Sequence, residues 1–408
     1  MNSTIKPATL ALISCLLIAC SSDQGPQFDP EAASASGNRL VSFAQLQYEG
    51  AFTLPASQFG DSSLNYSQGV LEVSGDSLFI TGHTHDDAIA EFRMPTLIDS
   101  QNLGDLVSAG NPVQSFTKIL DRTPSENVDQ LDQITGLEVV NGSLVVNAIQ
   151  YYDGAADNTA TTIVVEDKNN LSTSHVSAIH ELQGAARAAG WISRVPESWQ
   201  QELGTDHITG FSSGAPIIGR LSVGPSAFAV DFSDNLSSSV STIIQAEELQ
   251  GFTLQQPLHA DLNNESGANT VWTHLSHARY GFIVPGTSTY MTIGFSGGHQ
   301  SGVSYKAVRQ NGYQCPGFCA NDESDVYNYY WLWDVEDWQL IKDGELLPSE
   351  VKPYESGEFV LPFQTDQFLN EIGGAAFDET TGLLYISVLR ANLNGHDNPP
   401  VIVAYRMP

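Results

Sequence analysis

Beyond residue 40 the chain is built from short apolar runs rich in Val, Ile, Phe and Tyr, separated by clusters of Gly, Asn, Asp and Ser. Runs bounded in this way by turn residues mark strands. Only residues 184–203 read as a helical insertion. Five of the runs open alike, with a small or polar residue, then Gly, then β-type residues: Gln68-Gly69-Val70-Leu71, Thr135-Gly136-Leu137-Glu138, Thr209-Gly210-Phe211, Tyr280-Gly281-Phe282-Ile283 and Gly373-Gly374-Ala375-Ala376. Their shared glycines stand 67, 74, 71 and 93 residues apart. That exceeds a propeller unit of roughly 40 to 50 residues but suits a four-stranded blade with long loops.

A second strand follows each of these runs, at residues 77–82, 143–148, 226–232, 289–295 and 383–388. Third strands are expected at 89–95, 162–166, 329–334 and 402–408, and the first and last of these are near copies, Ile89-Ala90-Glu91-Phe92-Arg93-Met94-Pro95 and Ile402-Val403-Ala404-Tyr405-Arg406-Met407-Pro408. Outer strands are expected at 113–120, 176–182, 240–246 and 354–362. The fifth repeat has no outer strand of its own. Its counterpart stands at the N-terminus, where Tyr48-Glu49-Gly50-Ala51-Phe52-Thr53-Leu54-Pro55 echoes the segment at Tyr354. The pattern therefore predicts an all-β, five-bladed β-propeller closed by its N-terminal strand, an arrangement that leaves no exposed sheet edge. Six or seven blades are the alternative if the connections at 184–206 and 250–273 conceal another.

The first residues are an address. Lys6 provides a positive n-region, residues 8–19 form an apolar run too short to span a bilayer, and Leu17-Ile18-Ala19-Cys20 resembles the lipobox of bacterial lipoproteins. The resemblance implies a signal peptide over residues 1–19, cleavage before Cys20 and lipid on its thiol. Ser21 and Ser22 follow, with no aspartate of the kind that retains lipoproteins in the inner membrane, so an outer-membrane anchor is implied. An ordinary secretory signal is the alternative. Residues 20–39 are mostly Ser, Ala, Gln, Asp, Gly and Pro and read as a flexible tether, leaving residues 40–408 as one domain held at a membrane by lipid alone.

Charge narrows the partners. The formal net charge is −31, from 47 acidic and 16 basic residues, and no basic run interrupts it. Such a surface repels nucleic acid and polyanionic polymers. Solubility in a saline medium accounts for the acidity better than an acidic face built for one partner does. A glycan or small molecule is the expected partner of a monomeric chain. Cys315 and Cys319 are the only cysteines beyond Cys20, and the Cys-Pro-Gly-Phe-Cys turn is expected to close as a disulfide in an oxidising compartment. Zinc would need two further ligands.

Residues just ahead of each repeated glycine are placed by a propeller at one mouth of its channel. Four positions back stand Asn65, Asp132, Asp206, His277 and Asn370; three back stand Tyr66, Gln133, His207, Ala278 and Glu371. The loops between second and third strands rise over the same face, adding His83, His85, Tyr151, Tyr152, His299, Arg390 and His396. A concave mouth with convergent polar groups has the make-up of a ligand site; loop capping around a water-filled tunnel gives the same composition. His83 and His85 share one strand face and suit a transition metal, as does any polar strand-end turn. Calcium is the cofactor considered for the channel, on Asp132 and Asp206. Trp331 and Trp333 with nearby tyrosines read as a strand half in the core and half on the blade surface, with sugar stacking as the alternative.

No His-Glu-x-x-His and no Gly-Lys-Ser/Thr loop is present, which removes zincins and P-loop enzymes. The fold resembles that of five-bladed glycoside hydrolases, and the resemblance implies Asp132 and Asp206 as nucleophile or base and as stabilising carboxylate, with Glu371 as acid. The segments at Tyr48, Tyr329 and Gly373 are similar to uncharacterised exported propeller proteins of aquatic bacteria, which implies no activity. A polysaccharide lyase would use His277 or His207 as base, Tyr280 or Tyr66 as acid and Arg279 against a uronate carboxylate; the acidic surface opposes a polyanionic substrate. A non-catalytic binding lipoprotein explains the same features. The sequence thus points to an anchored propeller that binds a glycan or small ligand, with glycan hydrolysis as the leading enzymatic version.

Overall fold

The computed structural model describes Met1 and residues 39–212, 222–232, 237–309, 312–363 and 371–407. Cys20, Asn370 and the rest of the expected leader and tether, residues 2–38, lie outside the described residues.

Five antiparallel sheets form five blades. Blade 1 contains Leu71–Ser74, Ser77–Thr81, Ala88–Arg93 and Gln114–Lys118; blade 2 contains Gln133–Val140, Ser143–Ile149, Ala160–Val165 and His180–Leu182. Blade 3 contains Trp191–Arg194, His207–Gly210, Ala227–Val230 and Ala246–Gln250, and blade 4 contains His277–Ile283, Thr289–Gly297, Val326–Asp334 and Glu355–Phe359. Blade 5 contains Ile372–Asp378, Leu383–Val388 and Val401–Arg406, with Gln47–Thr53 as its outer strand. The register of that closure pairs Ala51 with Val403 and Phe52 with Ile402. The five-bladed reading and the N-terminal closure both hold, and the six- or seven-bladed alternative falls away.

Blades stack face to face, which is why their strands read as nearly continuous apolar runs. In blade 1, Leu71, Val73, Leu78 and Ile80 pack with Ala376, Tyr385 and Ile402 of blade 5. The opposite face sends Phe79 and Ile89 against Ile134, Leu137, Leu144 and Val146 of blade 2. Trp331, Trp333 and Tyr329 are buried in the largest cluster, so this aromatic strand is blade core.

Blade 3 departs from the expected register by one strand. Its innermost strand is Trp191–Arg194, inside the segment read as helical, where helix is confined to a 3-10 turn at Ala185–Arg187 and to Glu197–Leu203. Thr209 and Gly210 belong to the second strand, residues 227–230 to the third, and the outer strand is Ala246–Gln250. Ile243–Ile244 instead adds in parallel to the edge of blade 2 beside Glu181 and Leu182. Cys315 and Cys319 form the expected disulfide next to a hairpin, Val303–Tyr305 with Phe318–Ala320, inserted between the second and third strands of blade 4. No helix among the described residues is long and apolar enough to cross a membrane.

The innermost strands come so close that glycine is required where they meet. A Cβ on Gly136 would collide with the carbonyl of Gly190, and one on Gly373 with the carbonyl of Gln68. Polar side chains bridge the same seams. Thr135 Oγ1 donates to Ala189 O at 2.5 Å, Asn147 Nδ2 to Gly190 O at 3.0 Å, and Ser387 Oγ to Gly69 O at 2.6 Å. Gly136→Ala should therefore cost about 1–3 kcal/mol through overpacking at the seam, measured as a lower denaturation midpoint; an unchanged midpoint would show that the seam can open freely.

Candidate functional site

All first strands run in one direction, so each blade presents its strand start to one mouth and its strand end to the other. At the first mouth lies a cavity of about 260 Å3. Gln68, Gln133, Thr135, Tyr151, His277 and Arg279 supply its polar lining, and Gly190, Trp191, Gly373 and Leu389 bring blades 3 and 5 to it. Beneath, the channel narrows to a gap of about 10 Å3 between Val70, Thr135, Leu137, Trp191 and Tyr280.

Arg279 and His277 dominate the electrostatics of the cavity. Both sit on the first strand of blade 4, and the strand's irregular register between Ala278 and Tyr280 lets His277, Ala278 and Arg279 all reach the lining. The Arg279 guanidinium makes no hydrogen bond or ion pair among the described residues, and its Nε is buried without a partner. The Phe295 ring lies 6.0 Å from its centre. Burial pulls its pKa down from the usual arginine range, opposed by the charges of Glu371 and Tyr151. His277 is only 9% exposed, and its Nδ1 is also buried without a partner. Burial first, and the Arg279 charge second, hold its imidazole well below the ordinary histidine value, so it is neutral at pH 7.

Several expected residues build the rim. Asp132 Oδ1 accepts a 2.6 Å hydrogen bond from the Tyr151 backbone N–H and so fixes the start of that loop. Tyr151 is 48% exposed. Burial and then the Asp132 charge push the neighbouring Asp87 carboxyl up to about 7. Asn65 ties blade 1 to the blade 5 loop, donating from Nδ2 to Asp397 at 3.2 Å and accepting from Asn398 N–H at 2.8 Å. Tyr66, 55% exposed, meets the His83 ring edge-on at 5.9 Å, and Arg390 lies 3.7 Å from Glu371. Tyr66, Asp87 and Arg390 all adopt left-handed backbone, with φ of +53°, +47° and +58°, a strain that concentrates at binding sites.

Other expected members are spent or elsewhere. His85 N–H donates to His83 Nδ1 at 3.2 Å, and among the described residues no group of three or more His, Cys, Asp or Glu is arranged to hold a metal. His299 is committed through both nitrogens, to Ser296 Oγ at 2.8 Å and Asn269 O at 2.7 Å. Tyr280 lines the constriction instead of the cavity, and its hydroxyl accepts from Phe377 N–H at 3.1 Å. Asp206 and His207 require a correction. They begin the second strand of blade 3, which runs opposite to the first, so they stand at the far mouth, paired with each other at 2.8 Å and with His207 opposite Arg194. Burial raises the Asp206 carboxyl, but the hydrogen bond and charge of His207 outweigh it and hold the group below the carboxylate range. Asp132 and Asp206 therefore share neither a calcium site nor a scissile bond.

The far end holds what sequence reasoning passed over. Glu72 and Glu138, on the first strands of blades 1 and 2, are 7% and 8% exposed. Burial drives Glu72 up to about 8 against backbone hydrogen bonds from Val139 and Val73. Burial and then the Glu72 charge carry Glu138 well above the carboxylate range. Arg194 and Glu379 face one another nearby at 3.5 Å. A signal existed in the repeated triplets Leu71-Glu72-Val73 and Leu137-Glu138-Val139, each an acid inside an apolar innermost strand. Ser212 and Ser296 each stand in Gly-x-Ser-x-Gly spacing, yet both are fully buried, and Ser212 Oγ is occupied by the Ala278 backbone at 2.6 and 3.0 Å. Neither forms a nucleophile elbow.

Fold and cavity together define a five-bladed β-propeller with a ligand-sized recess at one mouth. No protein-family model matches the chain, and no curated protein does. Among solved structures, a DUF4221 family member from Bacteroides vulgatus aligns at 10% identity over 88% of this chain and 97% of its own, with a TM-score of 0.33. Kluyveromyces lactis Hsv2p aligns at 8% identity over 83% of this chain and 73% of its own, with a TM-score of 0.25. Neither likeness carries a functional argument.

The glutamate pair predicts the pH response. Carboxyls that hold protons in the folded chain but lose them near pH 4.5 when unfolded stabilise the fold fully below that value, and the contribution is lost as pH rises towards about 8. The melting temperature should fall between about pH 5 and 8, and Glu72→Gln should flatten the fall and recover on the order of a few kcal/mol at the alkaline end. Parallel profiles for the two proteins would contradict the assignment.

Proposed function

We propose that this protein is an exported, lipid-anchored propeller that binds a small carboxylate-bearing ligand, a sugar acid or the acidic end of a short glycan, in the cavity at the first mouth. One observation carries the reading: a half-buried guanidinium, Arg279, its Nε fully buried, lines that cavity with no ion pair among the described residues. An unpaired buried cation is costly, and a ligand carboxylate that pairs with it, in the bidentate geometry arginine favours, relieves the cost. The exposed rings of Tyr66 and Tyr151 at the rim offer flat apolar faces of the kind on which sugars stack. Volume sets the size. A recess of about 260 Å3 fits one sugar ring better than a polymer lying lengthwise.

Hydrolysis has less support than binding. Glu371 is paired with Arg390, Asp132 is tied to the Tyr151 backbone, and Asp206 stands at the far mouth, so the two carboxyls that glycosidic cleavage requires are not assembled. The lipid anchor at Cys20, an outer-membrane location and the tether belong to this proposal on the strength of the lipobox-like leader.

Calorimetric titration of the purified protein should give binding of galacturonate and none of galactose. Arg279→Gln should weaken that binding about 10- to 100-fold, the worth of a charge-assisted hydrogen-bonded pair. Equal affinity for the neutral sugar, or binding indifferent to the substitution, would sink the reading; phosphate and sulfate run alongside test whether any anion suffices. Independently, labelled palmitate should enter the protein in a bacterial host and be lost in Cys20→Ser, with persistent labelling overturning the anchor assignment.

A further inference from the structure

We infer that the same cavity cleaves short uronate oligosaccharides by β-elimination, with Arg279, His277 and Tyr151 as its working groups; this rests on the carboxylate-binding reading above. Neither ring nitrogen of His277 is committed to a hydrogen bond among the described residues, although the ring is nine-tenths buried beside Arg279. The neighbouring histidine His299 spends both of its nitrogens. A buried, neutral, unbonded imidazole lining a cavity next to an unpaired guanidinium is a base with a place for its substrate. Tyr151 completes the set from the opposite wall. Its backbone is pinned by Asp132, and its hydroxyl carries no hydrogen bond among the described residues.

The chemistry balances without an oxidant or a metal. Arg279 pairs with the uronate carboxylate, which makes the proton on the adjacent ring carbon, C5, more acidic. His277 takes that proton, the C5–H electron pair becomes the C4–C5 double bond, the C4–O4 bond breaks, and the departing oxygen receives the Tyr151 hydroxyl proton. The products are an unsaturated uronate and a new chain end, and solvent returns a proton from His277 to Tyr151.

Substrate binding also tunes the base. Burial first and the Arg279 charge second depress His277. A bound carboxylate cancels that charge, so the imidazole becomes more basic only when there is a proton to remove. Charge accounts for substrate length as well: a surface at −31 repels long polyanions, whereas a short oligosaccharide entering end-on brings few charges and meets the recessed cation first.

The full-length protein, in detergent, would be incubated with short oligomers of galacturonate, mannuronate and guluronate while ultraviolet absorbance and product mass are followed. An unsaturated product is expected from at least one of them. His277→Gln and Tyr151→Phe should each lower its rate ~100-fold or more, with circular dichroism confirming that the variants fold; the exposed Tyr151 decides if the buried His277 variant does not. The wild-type acidic limb of kcat/KM should lie below pH 6.5, the ordinary histidine value. Galacturonate binding without any unsaturated product would overturn elimination and leave the binding reading intact, absence of both would end both, and a product undiminished in the two variants would remove their roles.

Discussion

Carbonyl oxygens and glycines crowd together where the five innermost strands meet, and this close approach organises everything around it. Gly136 lies against Gly190, and Gly373 against Gln68 and Gly69. Contacts this tight would strand backbone polar groups, and side chains of Thr135, Asn147, Ser212 and Ser387 satisfy them from the neighbouring blade. The channel is consequently pinched in its middle. The two sides of the pinch differ chemically, with an unpaired cation at the first mouth and two buried, protonated glutamates beyond it.

Each end of the channel holds charge in the form its surroundings allow. Glutamates can shed their charge by keeping a proton, and Glu72 and Glu138 do so at neutral pH. Arginine has no such escape in the physiological range, so Arg279 keeps its charge and its need for a partner. The asymmetry explains why the first mouth reads as a recess built for an anion and the far end as a self-contained part of the scaffold.

Much of the fold was legible because the glycine repeat and the blade seams are one feature seen twice. The echo between Tyr48 and Tyr354 correctly placed the N-terminal strand on the last blade. Blade 3 was harder. Its innermost strand, Trp191–Arg194, is four residues long and follows the helix-prone Ala185-Ala186-Arg187-Ala188-Ala189, which hid it and moved the repeat onto Gly210. Neighbouring strands are antiparallel, so a displacement of one strand carries a residue to the other end of the molecule, as with Asp206 and His207. The residues at the true strand starts, His277 and Gln133 among them, did converge on the cavity. Arg279 entered the reading only through its chemistry, since its exposure to the cavity depends on a local irregularity in the strand that no periodicity announces.

The sheet that unites residues 47–53 with residues 401–406 joins the first strand of the propeller to the third strand of its fifth blade. Four blades can assemble from contiguous chain as it emerges, but the fifth has no outer strand until the first segment is held in reserve and captured at the end. Until then an unpaired edge persists at both ends of the growing chain. Closing the ring is thus a single event that waits for residues 401–406 and spans the whole propeller.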